Sequence, residues 1–238
     1  MKKRLQRFLQ WILGFRRYLF IFSLYKIRTL GSDKKEGDFL HFVQMLPKDA
    51  TVLDIGANIG IMTAWLAKHC TQGKIHAFEP IPENLVALRK IVAHFKLGNV
   101  AIHPHALGHE PGELQMVMPE VKKVKMQGLS HVVHESIQDF NDGQFYKVPV
   151  KMLDQMELGA VKGIKIDVEN FEYFVFKGAE EMLRKHRPII YAELWANENR
   201  DNCFSLLQGI GYKVQVLESG HLVDFDAAEH DKQNFFFI

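Results

Sequence analysis

The chain has 238 residues, 47% of them apolar and 24% charged, with a net charge of +2. These proportions fit one globular domain, alone or with an appendage, and exclude a fibrous or low-complexity chain; this length buries a full core without covalent staples. The two cysteines, Cys70 and Cys203, are too few and too far apart for a disulfide framework or a cysteine zinc site, which fits a reducing compartment and an expected cytoplasmic location.

The charge is unevenly spread. Ten Lys and Arg residues oppose only Asp33 in the first 35 residues, a local charge of +9, whereas the remainder carries 20 basic and 27 acidic residues, or −7. Residues 1–45 therefore read as a basic, amphipathic helical arm, and residues 46–238 as the main domain. In the arm, Leu5, Phe8, Leu9, Ile12, Phe15 and Leu19 recur at helical spacing. A spanning helix needs roughly 18 or more apolar residues, and Arg16 and Arg17 cut the stretch short. No small-residue cleavage site follows, so a secretory signal fits poorly. Two readings stay open for residues 1–30. One is a helix packed on the body or over its ligand site, with its charges solvated. The other is peripheral membrane contact, with Lys and Arg facing anionic headgroups at the inner face of the membrane. Nucleic acid is not an expected partner, because no recognition motif accompanies the charge.

Past the arm, strands alternate with helices. Thr51–Ile55 is a predicted strand, 61–69 a helix, 74–78 a strand and 82–95 a helix whose Leu85, Leu88, Ile91 and Val92 form one stripe. Strands follow at 100–104, 112–118, 146–150 and 163–168, then a helix over 171–185. A strand at 188–194, a helix at 201–210 and strands at 212–217 and 234–238 complete the chain. Such alternation predicts an α/β fold with a mostly parallel sheet, and the closely spaced last strands predict an antiparallel edge. Residues 120–144, rich in His, Ser, Gly and Asp, read as a long functional loop.

Ligands of open α/β sheets bind outside the carboxyl ends of the strands. The first predicted strand leads through Asp54 into the turn Gly56-Ala57-Asn58-Ile59-Gly60, where glycine permits a sharp turn and close ligand approach. Asn58 tolerates a left-handed backbone there. The second strand ends in Phe78-Glu79-Pro80, and Glu79 lies 19 residues beyond Gly60. That offset suits an acidic side chain that accepts from both ribose hydroxyls. A dinucleotide-binding turn would carry a third glycine and place a pyrophosphate on a helix N-terminus. Asp54 would repel a pyrophosphate and suit a cationic sulfonium and amino group, so S-adenosylmethionine is the expected ligand and NAD is not.

The motifs together resemble the FkbM family of methyltransferases from about Ala50 to the C-terminus. They are Leu53–Gly60, Ala77-Phe-Glu-Pro80, His105-Ala106-Leu-Gly108, Lys165-Ile-Asp-Val-Glu-Asn-Phe-Glu172, Phe176-Lys-Gly-Ala179 and Arg187-Pro188 with Glu193. The resemblance implies a Rossmann-like class I fold, with a mostly parallel seven-stranded sheet, an antiparallel edge strand and helices on both faces. It also implies S-adenosylmethionine as donor and O-methylation of sugars, glycolipids or polyketide-type metabolites. Asp54, Gly56, Ala57, Asn58, Gly60, Glu79, Pro80, Ala106 and Asp167 are the expected donor-binding residues. The family usually has glycine where this chain has Asn170, and its Gly-x-Ser-Ser loop is matched loosely by Gly128-Leu-Ser-His131. Asn is the next-best residue for a left-handed turn, so the geometry should survive.

Methyl transfer displaces a sulfonium leaving group in line, so alignment supplies much of the rate, and a hydroxyl acceptor also benefits from a base. Asp167, Glu169 and Glu193 are the expected catalytic carboxylates. Asp167 would orient the donor's amino end or the acceptor, and Glu169 is the favoured base; otherwise both would cap the helix near Phe171. Lys165 alternates with Asp167 and would neutralise it. The absence of an Asn-Pro-Pro-Tyr-like motif argues against nucleobase amines as acceptor. His103, His105, His109, His131 and His134 match no ligand signature, so no metal site is expected, although His131 or His134 could act as a base. Trp195 could offer a face to a sugar ring. The leading expectation is an O-methyltransferase of a sugar, glycan or glycolipid hydroxyl. The alternatives are a methyltransferase of a polyketide-type metabolite and a donor-binding module without turnover.

Overall fold

A computed structural model describes residues 2–121, 123–134 and 141–238. Met1 of the arm and residues 122 and 135–140 of the predicted loop lie outside the described residues.

Three helices come first: α1 (Lys2–Leu13), α2 (Phe15–Thr29) and α3 (Gly37–Met45). The domain continues with β1 (Thr51–Ile55), α4 (Ile61–His69), β2 (Lys74–Phe78), α5 (Pro82–His94) and β3 (Val100–His103). An all-β segment follows: β4 (Ala106–Leu107), β5 (Gly112–Val121), β6 (Val124–Lys125), β7 (His131–Val132) and β8 (Gly143–Lys151). The chain then runs through β9 (Val161–Ile166), α6 (Glu172–Lys177), α7 (Glu180–His186), β10 (Ile189–Glu193) and α8 (Glu198–Ile210). It ends in β11 (Val214–Glu218), β12 (His221–Asp224) and β13 (Asn234–Phe237).

The main sheet has the order β12-β11-β13-β10-β9-β1-β2-β3. Strands β10, β9, β1, β2 and β3 are parallel, and β13, β11 and β12 run antiparallel to their neighbours. This is the expected Rossmann-like α/β sheet with an antiparallel edge. It has eight strands rather than seven, because His221–Asp224 forms a hairpin with β11. The strands expected at 112–118 and 146–150 form instead the centre of a second sheet, β4-β8-β5-β6, with β7 against β5. The helix expected over 171–185 is two helices. Gly178 sits between them, and any Cβ there would collide with the Gly108 carbonyl, so the chain turns where only glycine fits.

Strand alternation sorts the core onto two faces. Leu53, Ile55, Ile164, Ile166, Phe235 and Phe237 pack with α6, α7, α8 and the small sheet. Val52, Tyr191 and Phe236 face the other way, against α3, α4 and the end of α2. On that second face lie Asp54 of β1 and Lys165 of β9, which are direct cross-strand neighbours.

The arm divides into two unlike parts. Helix α2 is fastened to the body: Leu19 is fully buried, the Ser23 hydroxyl donates to the Ile59 carbonyl at 3.0 Å, and Trp65 donates to the Ile27 carbonyl at 3.1 Å. Helix α1 is held at Gln10, whose side chain exchanges hydrogen bonds with the backbone of Lys125 at 3.1 and 3.2 Å. Its Leu5, Phe8, Trp11 and Ile12 remain exposed, Trp11 by 78%. No helix among the described residues is long and apolar enough to cross a membrane.

Candidate active site

The carboxyl ends of β1, β2 and β9 meet around a cleft made of two joined cavities. The first is lined by Gly56, Asn58, Phe78, Glu79, Pro80, Ile81, Asn84, Ala106, Asp167 and Glu169, among others. The second continues past the glycine turn to α2 and the segment that joins it to α3, and the two share Gly56, Asn58, Gln127, Gly128 and Asp167 as walls.

The glycine turn depends on close packing. Gly56 has φ +76°, and a Cβ there would strike the Asp167 carbonyl oxygen. This is how the first strand end comes against the Asp167–Glu169 segment. Asn58 is left-handed at φ 49°, as its residue type allows. Ala57 lines the second cavity. Gly60, also left-handed, lines neither cavity; a Cβ would lie 2.8 Å from Leu88, so this glycine serves the packing of α4 on α5.

Asp54 is also placed differently from the expectation of donor contact. Alternation points it to the α4 side, where it is fully buried, accepts from the Thr63 hydroxyl at 2.6 Å and lies 3.5 Å from Lys165. Its carboxylate lines neither cavity. Lys165 turns to Asp54, and also donates to the Gly56 carbonyl at 3.0 Å. The lysine thus anchors the turn rather than simply answering Asp167.

Glu79 forms part of the first cavity. One of its oxygens accepts the Ile81 N–H at 2.7 Å. Burial, opposed by hydrogen bonds from Ile81, Asn84 and Asn58, pushes its pKa up to about 7. Several buried polar atoms on this wall have no hydrogen-bond partner among the described residues: Asn84 Oδ1, Gln127 Oε1, Asn58 Oδ1 and Ser130 Oγ. Unmatched buried polar atoms are costly and point to an absent partner. Beside them Phe78, Ile81, Leu107, Met116 and Val132 make an apolar slot. A polar rim over an apolar slot fits a nucleoside, with the base between apolar side chains and the ribose at Glu79. Sequence reading missed Ile81, Asn84, Met116, Gln127 and Val132, since nothing in their local pattern marks them, whereas Phe78, Leu107 and Ser130 fall within the sequence motifs.

The Asp167–Glu172 turn carries the other charges. Glu169 and Asn170 are both left-handed, at φ 54° and 74°; the second matches its place at the usual glycine position, and the first was not foreseen. Asn197 donates to Asn170 at 2.8 Å, and Glu172 accepts from the Val168 N–H at 2.9 Å and from Asn199 at 2.8 Å. Glu172, not Asp167 or Glu169, therefore satisfies the local amides. The Asp167 N–H donates to the Ile55 carbonyl at 3.1 Å, but the carboxylates of Asp167 and Glu169 have no hydrogen-bond partner among the described residues, and both residues line the first cavity. Burial, then the charges of Asp167, Glu193 and Glu172, push Glu169 up to about 9. Glu193, at the end of β10, lies outside both linings; burial and Asp167 raise it to about 7.

The candidate histidines each have protein partners, His105 through its Nδ1 and the Ala106 carbonyl at 3.1 Å. His131 bonds to the Leu129 carbonyl at 2.9 Å and to Asn141 at 3.1 Å. His134 packs on Phe171 and Phe174. His76 and His103 stack 5.1 Å apart, and burial holds both near pKa 4. His105 lines the first cavity, and His109 lies 3.8 Å from Glu110. Among the described residues, no three His, Cys, Asp or Glu form a group able to hold a metal ion.

Sheet, glycine turn and carboxylate-lined cleft together define a Rossmann-like domain with a ligand cleft at the carboxyl ends of its strands. The family profile of the methyltransferase FkbM domain matches residues 54–232, and the chain belongs to this family. Its methyl donor is S-adenosylmethionine. Among curated proteins, Methyltransferase 1 of Beauveria bassiana is 26% identical over 162 residues, covering 60% of this chain and 64% of that protein. The AMB antimetabolite synthetase AmbE of Pseudomonas aeruginosa is 25% identical over 222 residues, covering 76% of this chain. The chain spans only 10% of that synthetase. The crystal structure of the FkbM methyltransferase from Methylobacillus flagellatus KT is similar at a TM-score of 0.55 and 16% identity. That likeness covers 82% of this chain and 45% of the other, and shows the fold.

The raised Glu169 carboxyl gives a signed pH effect. With no cation beside it, that carboxyl would hold its proton at neutral pH. A sulfonium placed beside it would favour the ionised form, so donor binding there would release the proton. Affinity for S-adenosylmethionine relative to S-adenosylhomocysteine, whose sulfur is neutral, should therefore rise between about pH 6 and 9. Calorimetry across that range should show the rise in the natural chain and its loss in Glu169→Gln. An equal rise in the variant would assign the effect to another group.

Proposed function

We propose that this protein transfers a methyl group from S-adenosylmethionine to a hydroxyl of a sugar, glycan or glycolipid. The supporting observation is the pair Asp167 and Glu169, whose carboxylates have no hydrogen-bond partners among the described residues, on the cleft wall beside the glycine turn. Glu79, Pro80, Asn84 and Ala106 would hold the nucleoside, and Gly56 and Asn58 the segment beyond it. The bound donor supplies an electrophilic methyl carbon. Asp167, at the junction of the two cavities, would orient the sulfonium region and the acceptor. Glu169 would take the hydroxyl proton on its carboxylate, which the donor's positive charge keeps ionised. Trp195, half-buried just after β10, would offer an apolar face to a sugar ring.

A labelled-donor assay against a panel of cell-envelope saccharides should give an O-methyl ether. General-base contributions are typically 10²–10⁴-fold, so Glu169→Gln should lower kcat by about that range with little change in donor affinity at low pH. Transfer to an amine or carboxylate, with hydroxyls untouched, would contradict the reading.

We also propose that the enzyme acts from the cytoplasmic side at a membrane surface, held by α1. Its outward residues Leu5, Phe8, Trp11 and Ile12 are exposed by 53–78%, and Arg7, Arg16 and Arg17 belong to the same basic segment. An apolar face with adjoining cations suits an anionic bilayer interface. The full chain should float with anionic vesicles, and substitution of both Phe8 and Trp11 by Glu should abolish flotation. Equal flotation of the two forms would rule out this anchoring.

A further inference from the structure

The second cavity, of about 230 Å3, has a wall that belongs to the arm rather than to the sheet: Phe22, Lys26, Leu30 and Glu36. Opposite stand the glycine turn and Ile61 and Met62, the first two residues of α4. Gly60 provides no side-chain cap for that helix, and first-turn N–H groups have no intrahelical partners. Such an end favours a carboxylate.

The charged groups of this cavity are not equivalent. Lys26 is paired with Asp33 at 3.1 Å, and Lys165 is taken up by Asp54 and the Gly56 carbonyl. Asp167 stands at the junction with the first cavity, where the sulfur of a bound donor would lie. Glu36 is half-buried, and Lys26, Asp33, Lys165 and Asp167 act on its carboxylate only through space, with no hydrogen bond to it among the described residues. The cavity thus presents an uncommitted carboxylate on one side and an uncapped helix start on the other. The complementary ligand is a compact group bearing both an ammonium and a carboxylate, which is an α-amino acid.

We propose that Glu36 binds the α-ammonium of the donor's methionine portion, while the first turn of α4 receives its carboxylate. The arm is then part of the donor site, held there by the Ser23 bond to Ile59 and the Trp65 bond to Ile27. The proposal rests on the donor occupying the first cavity with its ribose at Glu79.

The test compares two ligands that differ only in this portion. S-adenosylhomocysteine has the amino-acid end, and 5′-methylthioadenosine lacks it. A charge-assisted hydrogen bond contributes about 1.5–3 kcal/mol, or roughly 10- to 150-fold in affinity. By calorimetry on the full chain, Glu36→Gln should weaken S-adenosylhomocysteine by about that factor and change methylthioadenosine less than about twofold. The natural chain should also bind the deaminated analogue of S-adenosylhomocysteine roughly tenfold or more weakly than the parent. Equal losses for both ligands, or no loss for S-adenosylhomocysteine, would overturn the role of Glu36. Equal binding of the deaminated analogue by the natural chain would do the same without any variant. Failure of the natural chain to bind either nucleoside would overturn the donor site itself.

Discussion

The cleft is organised around a buried lysine. Lys165 is 3% exposed and sits beside Asp54 across the β1–β9 pairing. Removing either charge alone would strand the other in the interior, at a cost of roughly 3–5 kcal/mol. The pair is therefore fixed, and the remaining donor capacity of the ammonium is spent on the Gly56 carbonyl. That bond sets where the glycine turn begins. The collision that any side chain at Gly56 would suffer with the Asp167 carbonyl sets how close the turn and the β9 end approach. The glycine turn and the carboxylate segment are consequently placed by these two contacts between adjacent strand ends.

The electrostatic result is a site short of positive charge. Lys165 is a buried cation near Asp167, Glu169, Glu193 and Glu36, yet its closest partner is Asp54. Like charges in a desolvated space retain protons. On the proposed reading, a cationic donor would relieve this imbalance on arrival and couple its binding to ionisation of Glu169.

Much of the fold was legible from periodicity. The helix at Ile61–His69 and the strands at Thr51–Ile55 and Lys74–Phe78 fall where predicted, because each is a short apolar run closed by a glycine or a proline. The hairpin strand His221–Asp224 was not legible, since an exposed edge strand needs no apolar alternation. The break at Gly178 was hidden because it answers to Gly108, far away in sequence. The site was readable in part. Gly56, Asn58, Glu79, Pro80, Ala106, Asp167 and Glu169 line the cleft, while Asp54 and Gly60 support it from behind. The motif specified an acidic residue at 54, but strand alternation decided which way it faces. Gln127 and Glu36 reach the cleft only through tertiary packing, which no local pattern records.

The most direct test is a crystal structure of the full chain with S-adenosylhomocysteine. The account predicts both ribose hydroxyls within hydrogen-bond distance of Glu79, the base against Phe78 and Ile81, and the sulfur facing Asp167 and Glu169. A nucleoside bound in the reverse direction, with its ribose away from Glu79 and its sulfur away from Glu169, would contradict it.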